Sequence, residues 1–272
     1  MYSKTMRKLS PYAYLIISIV VLLLLFIEKG YCKVLSAKEI IDSVVNQLNG
    51  VNTIEVEISQ IIAGAGLSET YKGNYVTARP GKIRVEYDYP YKQLIISDGD
   101  TLWWYIPDSR KVWFLEIRQN KEDVPQLCPA DPCNFKFSNT EDFLLHLRKR
   151  RWPNLGHKSY IIDLFPKSTG YPFSKVTLWI DSKRLFLQKY KIYDLAGNLV
   201  LSEEHNRVIL LSDKFWLPQE IITQTRTQGG VQKLITRYSN MKVNIDIPEN
   251  MFTFKIPEGI DRIPLLSSKA TE

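Results

Sequence analysis

Apolar and polar residues alternate along much of the chain with the two-residue period of β-strands. Ile54, Val56 and Ile58 alternate with two glutamates and a serine, and residues 83–87 repeat the pattern. A strand with this period buries one face. Similar segments, separated by turn residues, cover residues 71–78, 160–165, 175–181, 185–194, 199–210, 220–227 and 231–238. The pattern predicts a long succession of antiparallel strands.

The segment from Leu102 to Ile106 departs from this alternation. Its sequence, Leu-Trp-Trp-Tyr-Ile, puts large apolar side chains on both faces of a strand, and residues 112–115 do so again after a turn. Because successive side chains point to opposite faces, both faces need cover. We expect a helix to cover one face and a ligand the other.

Two helices are predicted in addition to the strands. Ser36-Ala-Lys-Glu has the capping-box pattern, and Asn49-Gly50 ends the helical spacing that follows it. Thr140 caps a second predicted helix over residues 140–150, whose basic end at residues 148–151 is either solvated or in contact with lipid headgroups or an acidic partner. The apolar residues expected to face inward are Ile40, Ile41, Val44, Val45 and Leu48 in the first helix and Phe143, Leu144 and Leu147 in the second.

This order of elements indicates the fold class. Strands in unbroken succession, with helices in only a few places, are typical of an α+β fold, here a large curved antiparallel sheet with helices packed on one side. No Gly/Ser-rich or Pro-rich linker divides residues 33–272. We therefore expect a single domain over that range.

The N-terminus has the pattern of a secretory signal peptide. Lys4, Arg7 and Lys8 precede an apolar run over residues 12–27, after which polarity returns. The run is shorter than the roughly 20 residues that span a bilayer. We expect residues 1–32 to be a cleaved signal peptide that exports the protein as a soluble chain, with a tilted membrane anchor as the alternative.

Charge and cysteine content limit the partners and the compartment. Removing residues 1–32 lowers the formal net charge from +7 to +4. This mildly basic balance fits transient contact with an anionic membrane surface and is too weak to indicate nucleic acid binding. Cys128 and Cys133, in the sequence Cys-Pro-Ala-Asp-Pro-Cys, are expected to form a disulfide in an oxidising compartment. They lie within the polar, proline-containing segment 119–139, which is long enough to be functional or lid-like.

The chain contains none of the sequence signatures of catalysis that we sought. His146, His157 and His205 are far apart in the sequence, and no zinc-binding histidine motif, nucleophile elbow, Walker loop or dinucleotide fingerprint is present. Glu203 and Glu204 lie in the alternating pattern of an exposed strand. We predict no enzymatic activity, no cofactor and no metal site.

Several motifs in the first half of the chain occur in an order typical of one protein family. An Arg79-Pro80 pair closes a strand, and an aromatic strand ends in Tyr-x-x-Pro at Pro90. A Ser-Asp-Gly-x-Thr-Leu-Trp hairpin over residues 97–103 and a Tyr-x-Pro at Pro107 follow. In this order and spacing they resemble the periplasmic outer-membrane lipoprotein carrier (LolA) family. Residues 34–60 resemble the family's first helix and strand, and residues 250–259 its closing strand.

The resemblance implies an unclosed β-barrel covered by an α-helical lid. It also implies a chaperone that binds the acyl chains of lipoproteins in a hydrophobic cavity and acts as a monomer. Its partners would be acylated lipoproteins, an ATP-driven release complex at the inner membrane and an outer-membrane acceptor. The chain is longer than the commonest carriers, so a lipid- or peptide-binding sensor, or a carrier of another lipid, is the alternative on the same fold.

The resemblance and the strand pattern together give candidate site residues. The two predicted helices would form the lid, and the family position matched by Arg79 is understood to bond lid carbonyls and hold the empty carrier shut. The residues expected to line the acyl-chain cavity are Val56, Ile58, Ile83, Val85, Tyr87, Leu94, Ile96, Leu102, Trp104 and Ile106.

Overall fold

The computed structural model describes residues 35–64, 66–117, 132, 137, 139–148 and 159–265. The predicted signal peptide over residues 1–32 lies outside the described residues, as do Cys128 and Cys133. Residues 37–272 form one compact unit.

The first predicted helix is confirmed as helix α1, Ala37–Asn49. Ile40, Ile41 and Val44 are buried, while Val45 and Leu48 are half-buried, so the apolar stripe faces the protein. The chain leaves the helix through hydrogen bonds from the Gly50 and Val51 amides to the Gln47 and Leu48 carbonyls.

Strands dominate the rest of the described chain and form a 14-stranded sheet. In chain order they are β1 Thr53–Gly64, β2 Leu67–Ala78, β3 Lys82–Tyr89, β4 Gln93–Asp98, β5 Thr101–Ile106, β6 Lys111–Glu116, β7 Phe143–Leu147, β8 Ser159–Pro166, β9 Lys175–Asp181, β10 Leu187–Tyr193, β11 Leu199–Leu211, β12 Phe215–Thr227, β13 Gly230–Val243 and β14 Asp261–Pro264. Short 3₁₀ helices occupy Pro107–Ser109, Thr140–Asp142 and Glu249–Phe252.

The strand order joins two meanders at the centre of the sheet. From one edge to the other it is β14-β6-β5-β4-β3-β2-β1-β13-β12-β11-β10-β9-β8-β7. Strand β1 pairs with both β2 and β13, and only the pair β14 and β6 is parallel. The outermost strands, β14 and β7, do not pair with each other, so the sheet is unclosed. The predicted α+β fold, a curved antiparallel sheet covered by a helix, is confirmed.

The prediction of a second helix over residues 140–150 is wrong. Thr140–Asp142 is a single 3₁₀ turn, and the residues after it form β7, which pairs antiparallel with β8. Phe143 is buried and Leu147 half-buried on one face of β7, whereas Leu144 points the other way and is 60% exposed. Because Phe143, Leu144 and Leu145 are all apolar, the sequence did not show the two-residue period of a strand. Pairing of these residues with β8 outweighed the local helix signal.

Candidate functional site

The strand registers define an inner face of the sheet. Val56 lies opposite Tyr75, Tyr75 opposite Val85, Val85 opposite Ile95, and Ile95 opposite Trp104. Directly opposed residues of antiparallel strands share a face. These five residues therefore mark the inner face across β1 to β5.

Most of the predicted cavity residues lie on this inner face. Five of them are buried in one apolar cluster, and Ile83 packs against it. Trp104 and Ile106 are half-buried on the same face, near the edge of the sheet. The five buried residues are Val56, Ile58, Val85, Tyr87 and Leu102.

The prediction that Leu94 and Ile96 line the cavity is wrong. Leu94 pairs with Tyr105 and Ile96 with Trp103, so both lie on the opposite, outer face. That face is covered by the C-terminal segment, in which the Phe254 ring lies 6.1 Å from Trp103 and 5.6 Å from Tyr105, measured between ring centroids.

The C-terminal segment, rather than a helix or a ligand, therefore covers the outer face of this half of the sheet. Lys82 forms an ion pair with Glu249, and the Arg84 Nη1 donates to the Met251 carbonyl oxygen at 3.0 Å. The segment then adds β14 beside β6. Because the outer face is covered, an apolar ligand on this half of the sheet would bind to the inner face.

Helix α1 closes the inner face at the other half of the sheet. Val44 and Leu48 face Phe186, Leu187 and His205, and the space between them measures only about 10 Å³. A cavity needs roughly this volume to admit one water molecule. No acyl chain can enter there unless the helix moves.

Polar contacts fasten helix α1 at both ends. Near its start, the Lys38 Nζ lies 4.0 Å from a Glu141 carboxylate oxygen. Near its end, the Gln47 Nε2 donates to the Lys214 carbonyl oxygen at 3.5 Å. The Arg79 Nη1 donates to the Leu48 carbonyl oxygen at 3.2 Å, and it also donates to the Asn49 Oδ1 at 3.5 Å.

The contact of Arg79 matches what the helix end requires. The last carbonyls of a helix lack partners within it, and a cation there is favoured by the helix dipole. The Arg79 amide also donates to the Asn52 carbonyl oxygen at 2.9 Å, which fixes the backbone of β2 next to the residues that follow the helix. The guanidinium is exposed to solvent, so this contact can break without burying an unpaired charge.

The inner face also holds polar side chains that are paired with one another. The buried Gln60 accepts a hydrogen bond from the Tyr87 hydroxyl at 2.5 Å and donates to the Thr236 Oγ1 at 3.1 Å. Near the sheet edge, the Trp104 Nε1 donates to the Gln93 Oε1 at 3.1 Å. These pairs fix the rings of Tyr87 and Trp104 in the apolar lining.

A second polar group lies under the helix, around Glu203. Its carboxylate accepts hydrogen bonds from the Tyr190 hydroxyl at 3.1 Å and the Thr223 Oγ1 at 3.0 Å, and the His205 Nε2 lies 2.9 Å away. Burial and the neighbouring Glu203 carboxylate raise the pKa of Tyr190. Sequence reasoning placed Glu203 on an exposed strand and missed this group, because only the register of β11 with β10 and β12 reveals its face.

The described residues contain neither a cluster that could hold a metal ion nor a helix that could span a membrane. Within them, no group of three or more histidines, cysteines, aspartates or glutamates is placed to hold a metal ion. Helix α1, at 13 residues, is too short and too polar to cross a membrane. No helix in the described part of the chain is long and apolar enough to do so.

Comparison with known proteins points to one family. Residues 49–203 match the family model described as outer membrane lipoprotein carrier protein LolA. The outer-membrane lipoprotein carrier protein of Chromohalobacter salexigens is 26% identical over 206 residues, which is 75% of this chain and 76% of the relative. An uncharacterized protein of Methanocaldococcus jannaschii is 23% identical over 249 residues, or 91% of this chain and 59% of the relative.

Solved structures share the fold at low sequence identity. A LolA superfamily protein of Nitrosomonas europaea aligns with a TM-score of 0.53 at 17% identity and covers 79% of this chain and 97% of its own. A lipoprotein-sorting protein domain of Vibrio parahaemolyticus aligns with a TM-score of 0.58 at 18% identity, covering 79% of this chain and 95% of its own.

Proposed function

Because the chain belongs to the outer membrane lipoprotein carrier protein LolA family, we propose that it is a periplasmic chaperone for lipoproteins. It binds their acyl chains on the inner face of the sheet and carries them from the inner to the outer membrane. In this proposal residues 1–32 are the signal peptide, residues 33–272 the carrier domain, and Cys128 and Cys133 a disulfide.

The observation that carries this proposal is an apolar inner face covered by a helix whose end is held by a solvent-exposed hydrogen bond. The face is lined by buried side chains such as Val56, Val85 and Leu102. Helix α1 lies over its other half and is tied to β2 through the Arg79 contact to the Leu48 carbonyl. A closed apolar face with a detachable cover fits a molecule that must hide acyl chains from water and later release them.

The energy of acyl-chain burial explains why the carrier starts closed. Removing a methylene from water gains about 0.8 kcal/mol, so a sixteen-carbon chain gains on the order of 10 kcal/mol. A permanently open cavity would hold such a chain too tightly to pass it on. Opening the helix, breaking the Arg79 contact and separating the packed cluster together consume part of that gain.

The proposed partners are those that membership of this family implies. With no nucleotide chemistry of its own, the carrier would receive acylated lipoproteins from an ATP-driven release complex at the inner membrane. It would then deliver them to an outer-membrane acceptor that binds the acyl chains more strongly. The proposed protein is neither an enzyme nor a cofactor-dependent protein.

A second candidate is a sensor, or a carrier of another lipid, on the same fold. It stays open because one relative with no carrier name, the uncharacterized protein of Methanocaldococcus jannaschii, aligns with 91% of this chain. Lipids or peptides that co-purify with the protein would separate the two: acylated polypeptide for the lipoprotein carrier, free lipid or an unmodified peptide for the alternative.

The test is a release assay with spheroplasts whose outer membrane has been removed. Residues 33–272 are added, and acylated lipoproteins are sought in the soluble fraction bound to the protein. We expect release that depends on the protein and on ATP inside the cells. Ile106→Glu, on the inner face, should reduce release, while Leu210→Glu, at a position 42% exposed, should not. Absence of release by folded protein would reject the lipoprotein carrier.

A further inference from the structure

Exposed apolar side chains are concentrated at one end of the sheet. Strands β1, β3, β10 and β12 all run toward this end, opposite the end at which Arg79 holds the helix. Large apolar residues with high exposed fractions lie in the connections that follow these strands or at the strand ends beside them. They are Leu67 at 71%, Tyr89 at 55%, Tyr91 at 40%, Leu195 at 74% and Val231 at 54%.

Two of these connections form one structural feature, which we call the paired hairpin tips, residues 64 and 66–67 together with residues 227–231. They are neighbours because β1 pairs with β13. Leu67 and Val231 border the same groove of about 420 Å³, which also contacts Ile62. The exposed apolar residues of the two hairpins are therefore parts of one surface.

The paired hairpin tips project into open space. Gly66 and Gly230 have φ angles of 81° and 113°, which allow the tight turns, and a Cβ at either position would meet no atom within 4 Å. Leu67 and Val231 follow these glycines directly. Each turn thus presents a large apolar side chain at its most accessible point.

Basic side chains occur in the same hairpins, whereas the acidic Glu69 borders the groove itself. Lys72 and Arg226 are exposed and Lys233 is half-exposed in the same hairpins. The acidic residue in the same stretches, Glu69, accepts a hydrogen bond from the Tyr71 hydroxyl at 2.6 Å. The rings of Tyr71 and Tyr91, 6.2 Å apart, connect the tips to the β3–β4 connection. Tyrosines that combine an apolar ring with a polar hydroxyl suit the boundary between lipid and water.

From this arrangement we propose that the paired hairpin tips dock the protein on an anionic membrane surface. Leu67 and Val231 enter the boundary between headgroups and acyl chains, and Lys72, Arg226 and Lys233 contact the headgroups. A protruding apolar tip on hairpins whose ends carry three basic residues and one acidic residue fits a deformable anionic lipid surface better than a preformed protein groove. This contact goes beyond the proposed function and does not depend on which cargo the inner face binds.

The test is sedimentation with vesicles of phosphatidylethanolamine and phosphatidylglycerol, compared with vesicles of phosphatidylcholine alone. Residues 33–272 contain the whole compact unit 37–272 and exclude the apolar run at residues 12–27, which would bind vesicles by itself. The variant is Leu67→Glu combined with Val231→Glu. The matched control is Leu210→Glu, another exposed apolar residue on β11. Circular dichroism and binding of a fluorescent fatty acid confirm the fold and the inner face.

We expect the protein and the Leu210→Glu control to sediment with the anionic vesicles, and less with phosphatidylcholine or at high salt. The double variant should lose about tenfold in affinity for the vesicles while its fatty-acid binding stays unchanged. Equal vesicle binding by the double variant would overturn the proposal. Failure of the unmodified protein to bind would also overturn it, and would leave the tips as a contact for another protein. If the unmodified protein binds vesicles but does not bind the fatty acid, the result would count against the proposed function and not against the docking surface.

Discussion

At the scale of single residues, Arg79 connects the sheet to the helix that covers it. Its guanidinium is exposed, and its contact with the Leu48 carbonyl is one hydrogen bond from a charged donor. Such bonds contribute modestly to stability when they face water. A contact of this strength can bias the helix toward its closed position without fixing it there.

We expect Arg79→Leu to bind acylated cargo but to fail in passing it on. Without the hydrogen bond the open state is relatively more stable, so loading costs less and closure no longer helps to expel the cargo. The measurement is transfer of a loaded lipoprotein to outer-membrane vesicles. Arg262→Leu, an exposed arginine on β14, is the control and should transfer normally. Normal transfer by Arg79→Leu would reject the proposed latch.

Gly73 shows how closely two strands approach on the inner face. An ideal Cβ at this position would lie 1.8 Å from the Glu86 carbonyl oxygen and 2.8 Å from the Tyr87 Cα. These are backbone atoms of β3, where the register with β2 shifts. They cannot move aside as the end of a flexible side chain could.

Gly73→Ala should therefore destabilise the fold by about 3 kcal/mol, because the new methyl group forces β2 and β3 apart. Urea unfolding followed by tryptophan fluorescence measures the change. Gly170→Ala provides the control, since a Cβ there would meet nothing within 4 Å. Equal stability of the two variants would show that the strands adjust easily at this point.

At the scale of elements, an ion pair joins the residue that follows the edge strand β7 to strand β8, with Asp163 buried and Arg148 exposed. The Arg148 Nε and Nη2 donate to the two Asp163 carboxylate oxygens at 2.7 and 2.8 Å, and the Thr177 Oγ1 donates to the same carboxylate at 2.7 Å. Burial alone would raise the pKa of Asp163, but the hydrogen bonds from Arg148 and Thr177 outweigh it and lower that pKa.

This shift predicts a dependence of stability on pH. An aspartate whose folded-state pKa is lowered stabilises the fold above its unfolded-state pKa of about 4, and the contribution disappears as the pH falls through the folded-state value. Asp163→Asn should thus be less stable than the natural protein at pH 7, and the difference should shrink below about pH 4. Urea unfolding across this range measures it.

The control for this prediction is Asp88→Asn, which changes an exposed aspartate at the end of β3. It should leave the unfolding free energy nearly unchanged at every pH. A difference between Asp163→Asn and the natural protein that stays constant down to pH 2 would mean that the pair contributes through packing alone.

The elements also show how far sequence reasoning reaches. Strict alternation, as in Ile54 to Ile58, predicted β1 and its buried face correctly. Alternation could not place Leu94 and Ile96, because β4 is apolar on both faces and only its pairing with β5 assigns them. The covering of the outer face by Phe254 was equally invisible, since that contact joins segments far apart in the sequence.

At the scale of the whole molecule, the closed structure implies that loading moves helix α1. The space between Val44 and Phe186 is far smaller than an acyl chain. The sheet beneath is joined by continuous strand pairing across β1 and β13. We therefore expect the helix, rather than the sheet, to move when cargo enters.

Hydrogen exchange on the empty and the lipopeptide-loaded protein tests this expectation. Backbone amides in the helix should exchange faster after loading, while those of β1, Thr53–Gly64, should keep their protection, because local opening exposes only the unit that moves. Arg79→Leu without cargo should already show part of the faster exchange. Unchanged protection of the helix at full loading would place the cargo elsewhere.

The pairing of β1 with β13 has a further consequence for how the chain acquires its fold. Gln60 bonds Thr236 across this pair, a separation of 176 residues. A polypeptide that emerges from a narrow tunnel N-terminus first exposes β1 long before its partner is available. Folds that depend on such distant contacts form slowly. Until residue 243 has emerged, the apolar side of β1 needs protection by a holding chaperone, and a chain truncated before that point should be a substrate for proteases.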